Sequence, residues 1–119
     1  MHELAIAESI VRIALAHAGD RRVIGVEVKC GHLRQVVPDA LAFAFTLITE
    51  GTQAEGAELK LEPVPAAGRC RRCGAEGELP AFPLTCGACG SWDVEVLRGE
   101  ELLVESLECD AREVALHGD

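Results

Sequence analysis

Two Cys-x-x-Cys pairs in the second half of the chain constrain its fold more than any other feature. They are Cys70-x-x-Cys73 and Cys86-x-x-Cys89, with twelve residues between them. Two intervening residues let both thiolates of a turn point at one ion, and four thiolates are a tetrahedral set that Zn²⁺ accepts. A glycine follows each pair and permits the positive φ that such turns need. The spacing predicts a four-cysteine metal site.

The ligand set alone leaves the identity of the ion open between zinc and a rubredoxin-like iron, because four thiolates suit both metals. Zinc is the expected ion, and four protein ligands leave no position for water, so the site is expected to be structural. Zinc with four thiolates keeps a net negative charge, which Arg69, Arg71 and Arg72 are expected to offset. Two disulfides are the alternative, against which a reducing cytoplasm argues.

The charge balance excludes several classes of partner. The chain has 119 residues and a net charge of −9, whereas nucleic acids and anionic membranes require a basic surface. Aromatic residues make up only 3%, which leaves little for stacking on bases. The start has no basic segment and no apolar run approaches 18 residues, so we expect no signal peptide, no membrane span and a cytoplasmic location.

Apolar periodicity predicts two helices and three strands. Helices are expected over 3–18 and from Pro38 to the glycine at 51, and strands over 22–30, 57–62 and 101–109. The second helix is apolar nearly all round and is expected to be largely buried. The predicted inward-facing positions of the first helix and first strand are Ile6, Ile10, Ile13, Ala14, His17, Ile24, Val26, Val28 and Cys30.

These elements predict an α/β fold in which two helices lie on a small three-stranded mixed sheet, with an inserted four-cysteine zinc-ribbon module. The predicted domains are an α/β domain of residues 1–65 plus 99–119 and a zinc-binding domain of residues 66–98. Pro63, Pro65 and Gly99 are the expected hinges. The tail after Asp110 is short and polar and is expected to fray.

The amino terminus carries a second candidate metal site. The Met1 amine, the His2 amide nitrogen and the His2 imidazole can close adjacent chelate rings on one ion, and the Glu3 amide can supply a fourth donor. Such nitrogens in a plane suit Ni(II) or Cu(II). A histidine at position two is more often an exposed residue without a ligand role, so this geometry alone leaves both interpretations open.

The remaining histidines and cysteines are not assigned chemistry. His17 is expected at the core boundary, and His32 and His117 in a loop and the tail. Cys30 and Cys109 are predicted to be buried thiols. The sequence has neither a nucleotide phosphate-binding loop nor a recognisable nucleophile with its base, which predicts a chain that is not an enzyme.

Several features together resemble the HypA/HybF family of hydrogenase nickel-incorporation proteins. They are the Met1-His2-Glu3 start, an alanine-rich first helix, the four-cysteine motif and the segment Gly51–Ala57. The resemblance covers essentially the whole chain in length and motif order. The four-cysteine motif alone is widespread, but its combination with Met-His-Glu at residue one is specific.

The resemblance implies a metallochaperone that carries Ni²⁺ and contains structural Zn²⁺. Its nickel ligand is His2, with the Met1 amine and the Glu3 backbone as co-ligands. The zinc ligands carry over to Cys70, Cys73, Cys86 and Cys89. Implied partners are the GTPase HypB and the large subunit of [NiFe] hydrogenase, with urease accessory proteins as partners of some members.

One family feature is not carried over, and two other functions stay open. Some relatives have an acidic residue near the start of the second helix that is linked to the nickel site. Asp39 lies in that region, but the preceding loop differs in length, so Asp39 is assigned no role. The alternative function is a zinc-ribbon interaction adaptor without a labile metal, and a weaker one is a rubredoxin-like electron carrier.

Overall fold

A computed structural model describes residues 2–79, 82–110 and 113–115, the last three by their backbone alone. The two α-helices are α1 (His2–Ala18) and α2 (Pro38–Thr49), and a short 3₁₀ helix spans His32–Arg34. The strands are β1 (Val23–Gly31), β2 (Glu58–Val64), β3 (Ala67–Cys70), β4 (Glu76–Glu78), β5 (Val94–Arg98), β6 (Leu102–Cys109) and β7 (Glu113–Ala115). The five elements expected from periodicity are therefore all present.

Two sheets organise these strands, and they confirm the predicted fold class. The first sheet has the order β2-β1-β6-β7, and the second has the order β4-β3-β5. In the first sheet β6 runs antiparallel to β1. Two contacts establish this direction: the Asp110 N–H donates to the Arg22 carbonyl at one end, and Lys29 pairs with Glu105 further along. Pro63 lies near the end of β2, an edge strand that tolerates a residue without an N–H.

The described chain divides into two compact units. One comprises residues 2–29 and 36–62 with the described residues from 103 onward, and the other comprises residues 30–35 with the described residues of 63–102. The predicted domain limits at residues 65 and 99 stay a prediction. Within the described residues, neither α-helix combines the length and apolar character needed to cross a membrane.

The core of the first unit forms where α1 and α2 pack against each other. The buried face of α1 consists of Ala7, Ile10, Val11, Ala14 and Ala18. The prediction for Ile13 and His17 is therefore wrong, since both are exposed. The buried stripe keeps the spacing of a helix but is rotated from the predicted one, because small alanines lie against the core while Ile13 points outward.

The expectation that α2 is largely buried is also wrong. One face, formed by Leu41, Ala44, Phe45 and Thr49, is buried, and the opposite face is exposed. Pro38 occupies the start of the helix, where its missing N–H costs nothing. The sequence of α2 is thus apolar nearly all round, although only one side of the helix packs against the core.

Strand β1 and the tail differ from expectation in detail. Val26 and Val28 are buried as predicted, but Ile24 is exposed because the alternation shifts near Gly25 and places Val23 in the core. The tail contributes β7, which pairs antiparallel with β6 through Leu107 and Val114. The predicted three-stranded sheet therefore has a fourth strand.

The expected hinge at Gly99 is a close packing point of the second unit. A Cβ atom built on Gly31 would lie 2.1 Å from the Gly99 carbonyl oxygen, and one on Gly99 would lie 2.6 Å from the Ala66 Cα. Gly31 and Leu33 also donate backbone hydrogen bonds to the Glu101 and Gly99 carbonyls, at 2.7 and 2.8 Å. The backbone segments meet so closely here that only glycine fits.

Candidate metal centre

The two cysteine pairs lie in turns of the same design. Cys70 ends β3, and the N–H of Gly74 donates to its carbonyl at 2.9 Å. In the second turn the N–H of Gly90 donates to the Cys86 carbonyl at 2.8 Å. Both glycines have positive φ, 80° and 77°, which is the conformation that the sequence predicted for these positions.

The four sulfur atoms converge on one point. Cys70 Sγ lies 3.7 Å from Cys89 Sγ, and Cys73 Sγ lies 3.6 Å from Cys86 Sγ. All four ligand atoms are within 4.8 Å of one another. A tetrahedron with metal–sulfur bonds of about 2.3 Å has edges of roughly 3.8 Å. The thiols therefore match the size and donor set of a zinc or iron site with four sulfur ligands.

Backbone N–H groups prepare two of these sulfurs to carry negative charge. Arg72 and Cys73 donate to Cys70 Sγ at 3.3 and 3.4 Å. Ala88 and Cys89 donate to Cys86 Sγ at the same two distances. The donor at Cys73 is the main cause that lowers the pKa of Cys70, and the donors at Cys89 and Ala88 lower the pKa of Cys86 to about 6.

The pKa of Cys73 moves the other way, to about 11. The Ala75 backbone N–H acts to lower it, but the neighbouring thiols of Cys86, Cys70 and Cys89 and partial burial together outweigh that effect. The backbone hydrogen bonds thus favour the thiolate form of Cys86 and shift the pKa of Cys70 in the same direction, whereas the Cys73 thiol keeps its proton near neutral pH. A bound cation would supply the charge that displaces the remaining protons.

Two of the three arginines next to the cluster pair with carboxylates. Arg69 contacts the carboxylates of Glu76 and Glu95 at 3.2 and 3.4 Å, and Arg71 contacts Asp93 at 3.0 Å. For Arg69 and Arg71 the expectation of a direct offset to the sulfur charge is therefore not met, because each pairs with carboxylates; for Arg72 it stays an expectation. The peptide N–H groups that donate to Cys70 and Cys86 contribute to the offset, which residue types alone do not reveal.

A small sheet supports the cysteine turns. Strand β3 lies between β4 and β5, and Gly68 in β3 has no room for a Cβ atom, which would lie 2.8 Å from the Glu95 carbonyl oxygen. In the described part of this unit the buried apolar residues are few, namely Ala66, Ala67, Leu79, Cys70 and Cys86. So little buried apolar surface indicates that a metal contributes to the stability of this unit.

The amino-terminal residues form a second cluster at the start of α1. His2 is exposed, and its Nε2 lies 3.0 Å from Glu3 Oε2. The same Glu3 oxygen accepts a hydrogen bond from the Val37 backbone N–H at 3.1 Å. Val37 is the N-cap of α2, and its own side chain makes no capping hydrogen bond. Through the Val37 N–H, Glu3 ties the start of α1 to the start of α2.

Glu3 is held as a carboxylate in this arrangement. The hydrogen bond from Val37 is the largest cause that lowers its pKa, and the charges of His2 and the amino terminus act in the same direction against partial burial. Met1 lies outside the described residues. Asp39, in the first turn of α2, is exposed.

The other candidate residues that the structure describes are Cys30, Cys109 and His32. Cys109 is buried as predicted, whereas Cys30 is only half-buried, and burial raises the pKa of its thiol. Neither belongs to the four-cysteine group. His32 is exposed in the 3₁₀ helix, and His117 lies outside the described residues.

Comparison with known proteins gives a consistent result. The family model described as HypA, hydrogenase/urease nickel incorporation, metallochaperone, matches residues 1–109. The hydrogenase maturation factor HypA of Geotalea uraniireducens is 49% identical over 110 residues, which is 92% of this chain and 100% of that protein. The factor of the same name from Geobacter metallireducens is 44% identical with the same coverage.

Solved structures agree on the fold. The solution structure of a HypA protein superimposes with a TM-score of 0.67 at 23% identity and covers 94% of this chain and 98% of its own. The solution structure of the Ni metallochaperone HypA from Helicobacter pylori gives 0.64 at 20% identity, with coverages of 90% and 96%. Together with the family match and the four-cysteine cluster, these similarities show that the chain belongs to the HypA family of nickel metallochaperones for hydrogenase maturation.

Proposed function

We propose that this chain binds its Ni²⁺ cargo at residues 1–3 and passes it on with a GTPase partner. The nickel ligands are the His2 imidazole, the Met1 amine and the Glu3 backbone nitrogen. The observation that carries this proposal is the contact between His2 and Glu3, which orients the histidine at the first turn of α1. The family match supports nickel as the cargo.

The start of a helix leaves amide nitrogens available for a metal. The first four N–H groups of an α-helix have no acceptor within the helix, and α1 begins at His2. The amides of His2 and Glu3 are therefore not held by the helix. After losing their protons they can join an amine and an imidazole in the planar nitrogen set that suits Ni(II).

The hydrogen bond to Glu3 also selects the ring atom for nickel. A ligand histidine commonly gives its second ring N–H to a carboxylate, which fixes the tautomer and the orientation of the ring. Here Nε2 contacts Glu3 Oε2. Nδ1 then remains for the metal, and it is the ring nitrogen that can close a chelate ring with the His2 amide.

The four-cysteine cluster is the proposed structural zinc site. Its ligands are Cys70, Cys73, Cys86 and Cys89, whose sulfur spacings match a tetrahedron around zinc. Four protein ligands leave no site for water. In this role zinc stabilises the second unit, and the proposed zinc-binding domain spans residues 66–98.

The remaining parts of the relay are proposed from the family relationship. The sequence has no phosphate-binding loop, so the GTPase HypB supplies nucleotide hydrolysis in trans. The large subunit of [NiFe] hydrogenase receives the nickel, with urease accessory proteins as a second destination. The proposed location is the cytoplasm, where cysteine sites remain reduced.

A single substitution tests the nickel site. His2→Ala should weaken Ni(II) binding at least tenfold in calorimetry, because it removes the imidazole and leaves the cluster of cysteines intact. His17→Ala, an exposed histidine of the same helix, is the matched control and should bind nickel normally. Equal affinity in His2→Ala would refute the site, and no nickel binding by the unaltered chain would favour a zinc-ribbon adaptor.

A further inference from the structure

The outer face of α2 is apolar, and no other segment in the described part of the chain packs over it. Val37, Phe43 and Leu47 are 56%, 66% and 48% exposed, and Ala40 lies exposed between them. We call these four residues the α2 stripe. They follow helical spacing, so their side chains lie along one side of the helix.

Charged residues flank the stripe but do not interrupt it. Asp39 lies near its beginning and Glu50 follows its end, and no residue from 40 to 49 is charged. The chain has only three phenylalanines, and here one of them is mostly in water. Exposed apolar stretches with a polar rim are typical of surfaces that bind another protein.

A second copy of the chain is a poor occupant of this surface. Each copy carries a net charge of −9, and both ends of the stripe are acidic, so two copies bring like charges together. The exposed area of the three large side chains is roughly 300 Å², well below the about 800 Å² per partner of a stable complex. These properties favour a transient partner that carries an apolar groove with a basic rim.

The stripe begins next to the proposed nickel ligand. The backbone N–H of Val37 binds the Glu3 carboxylate, and the same carboxylate oxygen contacts the His2 ring. A protein that binds the α2 stripe therefore lies beside the proposed nickel-binding terminus. This short distance is what transfer of an ion between two proteins requires.

We propose that the α2 stripe is the docking surface for the partner that exchanges nickel with this chain, and that this partner presents an apolar groove edged by lysine or arginine. The proposal rests on the proposed nickel relay. Apolar contact supplies the affinity, and Asp39 and Glu50 supply orientation and the rate of encounter. A helix face seated in a groove is a common form of recognition.

The test measures binding of the purified GTPase HypB to the full zinc-loaded chain by calorimetry. The double variant Phe43→Ser and Leu47→Ser removes apolar area without changing charge, and it should bind at least tenfold more weakly. Ile13→Ser, an exposed apolar residue of α1 at 38% exposure, is the matched control and should bind within twofold of the unaltered chain.

Charge reversal tests the basic rim independently. Glu50→Lys should weaken binding severalfold at low salt and less at high salt, because salt screens the attraction. Glu62→Lys makes the same change of charge at an exposed position of β2, and it should have little effect on binding of the GTPase. An effect of equal size in both variants would mean that only the overall charge matters, which would overturn the basic groove.

Three further results would overturn the docking proposal. The first is full affinity for the GTPase in the double variant, and the second is no binding of the GTPase by the unaltered chain. The third is reversible dimerisation that the double variant abolishes, seen by sedimentation, which would make a second copy the occupant. Nickel titration of each variant separates these results from a failure of the terminal site, because the stripe supplies no nickel ligand.

Discussion

Glu3 is a single side chain that connects the proposed metal ligand with the rest of the fold. Its carboxylate accepts the Val37 N–H at the start of α2 and contacts His2 at the start of α1. A glutamine at this position keeps an acceptor but loses the charge. The contact therefore predicts a pH-dependent contribution to stability as well as an orienting role.

Glu3→Gln should lower the melting temperature near neutral pH but have little effect in acid. The lowered pKa of Glu3 means that its carboxylate stabilises the folded chain above the ordinary glutamate pKa, and that this stabilisation is lost as the pH falls through the lowered value. The difference from the unaltered chain should shrink between about pH 5 and pH 3. Thermal unfolding across this range checks it.

The control is Glu8→Gln, an exposed glutamate of the same helix, which should melt like the unaltered chain throughout. A melting difference for Glu3→Gln that stays constant with pH would show that shape alone, and not charge, makes the contact stabilising.

Gly31 is constrained by space and not by its backbone angles. Its φ of −71° and ψ of 143° are open to any residue, but an added Cβ atom would lie 2.1 Å from the Gly99 oxygen. Gly31→Ala should therefore cost about 1–3 kcal/mol or more in the free energy of unfolding. Denaturant unfolding measures this cost.

Gly77→Ala is the matched control, because nothing lies within 4 Å of a Cβ atom built there. It should change stability by less than about 0.5 kcal/mol. If both variants were equally stable, the close approach of Gly31 and Gly99 would not exist in solution.

The secondary structure was more predictable from sequence where apolar periodicity is strong. Helices α1 and α2 and strands β1, β2 and β6 follow from that pattern, because each buries one regular face. Strands β3, β4, β5 and β7 were not predicted, because they are short, and all three residues of β4 are exposed. Strands β3, β4 and β5 depend on pairing within the cysteine unit, which a linear pattern does not contain.

The cysteine turns show what spacing can and cannot predict. The two Cys-x-x-Cys-Gly segments led to the expectation of convergent thiols with positive-φ glycines, and the sulfurs do converge. The four N–H donors to sulfur and the pairing of Arg69 with Glu76 were not foreseen. These contacts depend on tertiary geometry and not on the identity of neighbouring residues.

Cys73→Ser should release zinc and remove the cooperative unfolding of the second unit, because the energy of metal binding stabilises a unit with little apolar core. Elemental analysis gives the zinc content. Fluorescence of Trp92, which is the single tryptophan and lies beside the second turn, follows unfolding. Cys30→Ser, outside the cluster, should keep one zinc per chain.

A Cys73→Ser protein that retained both zinc and a cooperative transition would contradict the structural role. The same elemental analysis of the unaltered chain decides the metal. Zinc in a colourless solution excludes the rubredoxin-like electron carrier, whereas iron would support it.

The fold class and the family could be predicted for the molecule as a whole, and the partner surface could not. The order of elements, the amino-terminal motif and the cysteine spacing predicted both correctly. The exposure of the α2 stripe could not be predicted, because an apolar helix is expected to be buried. Phe43 and Phe45 are the same residue type in one helix, and only the packing of α2 reveals that Phe45 lies in the core and Phe43 on the surface.

Nickel binding at a free amino terminus is the central step of the proposed function. The most direct test is calorimetric titration of Ni(II) into tag-free protein that begins at Met1, beside the same protein with one glycine added before Met1. The added residue displaces the amine from the chelate but leaves His2 and the cysteines unchanged. We expect one nickel at micromolar affinity or better for the native start and at least tenfold weaker binding for the extended one. Equal binding by both proteins would contradict this expectation.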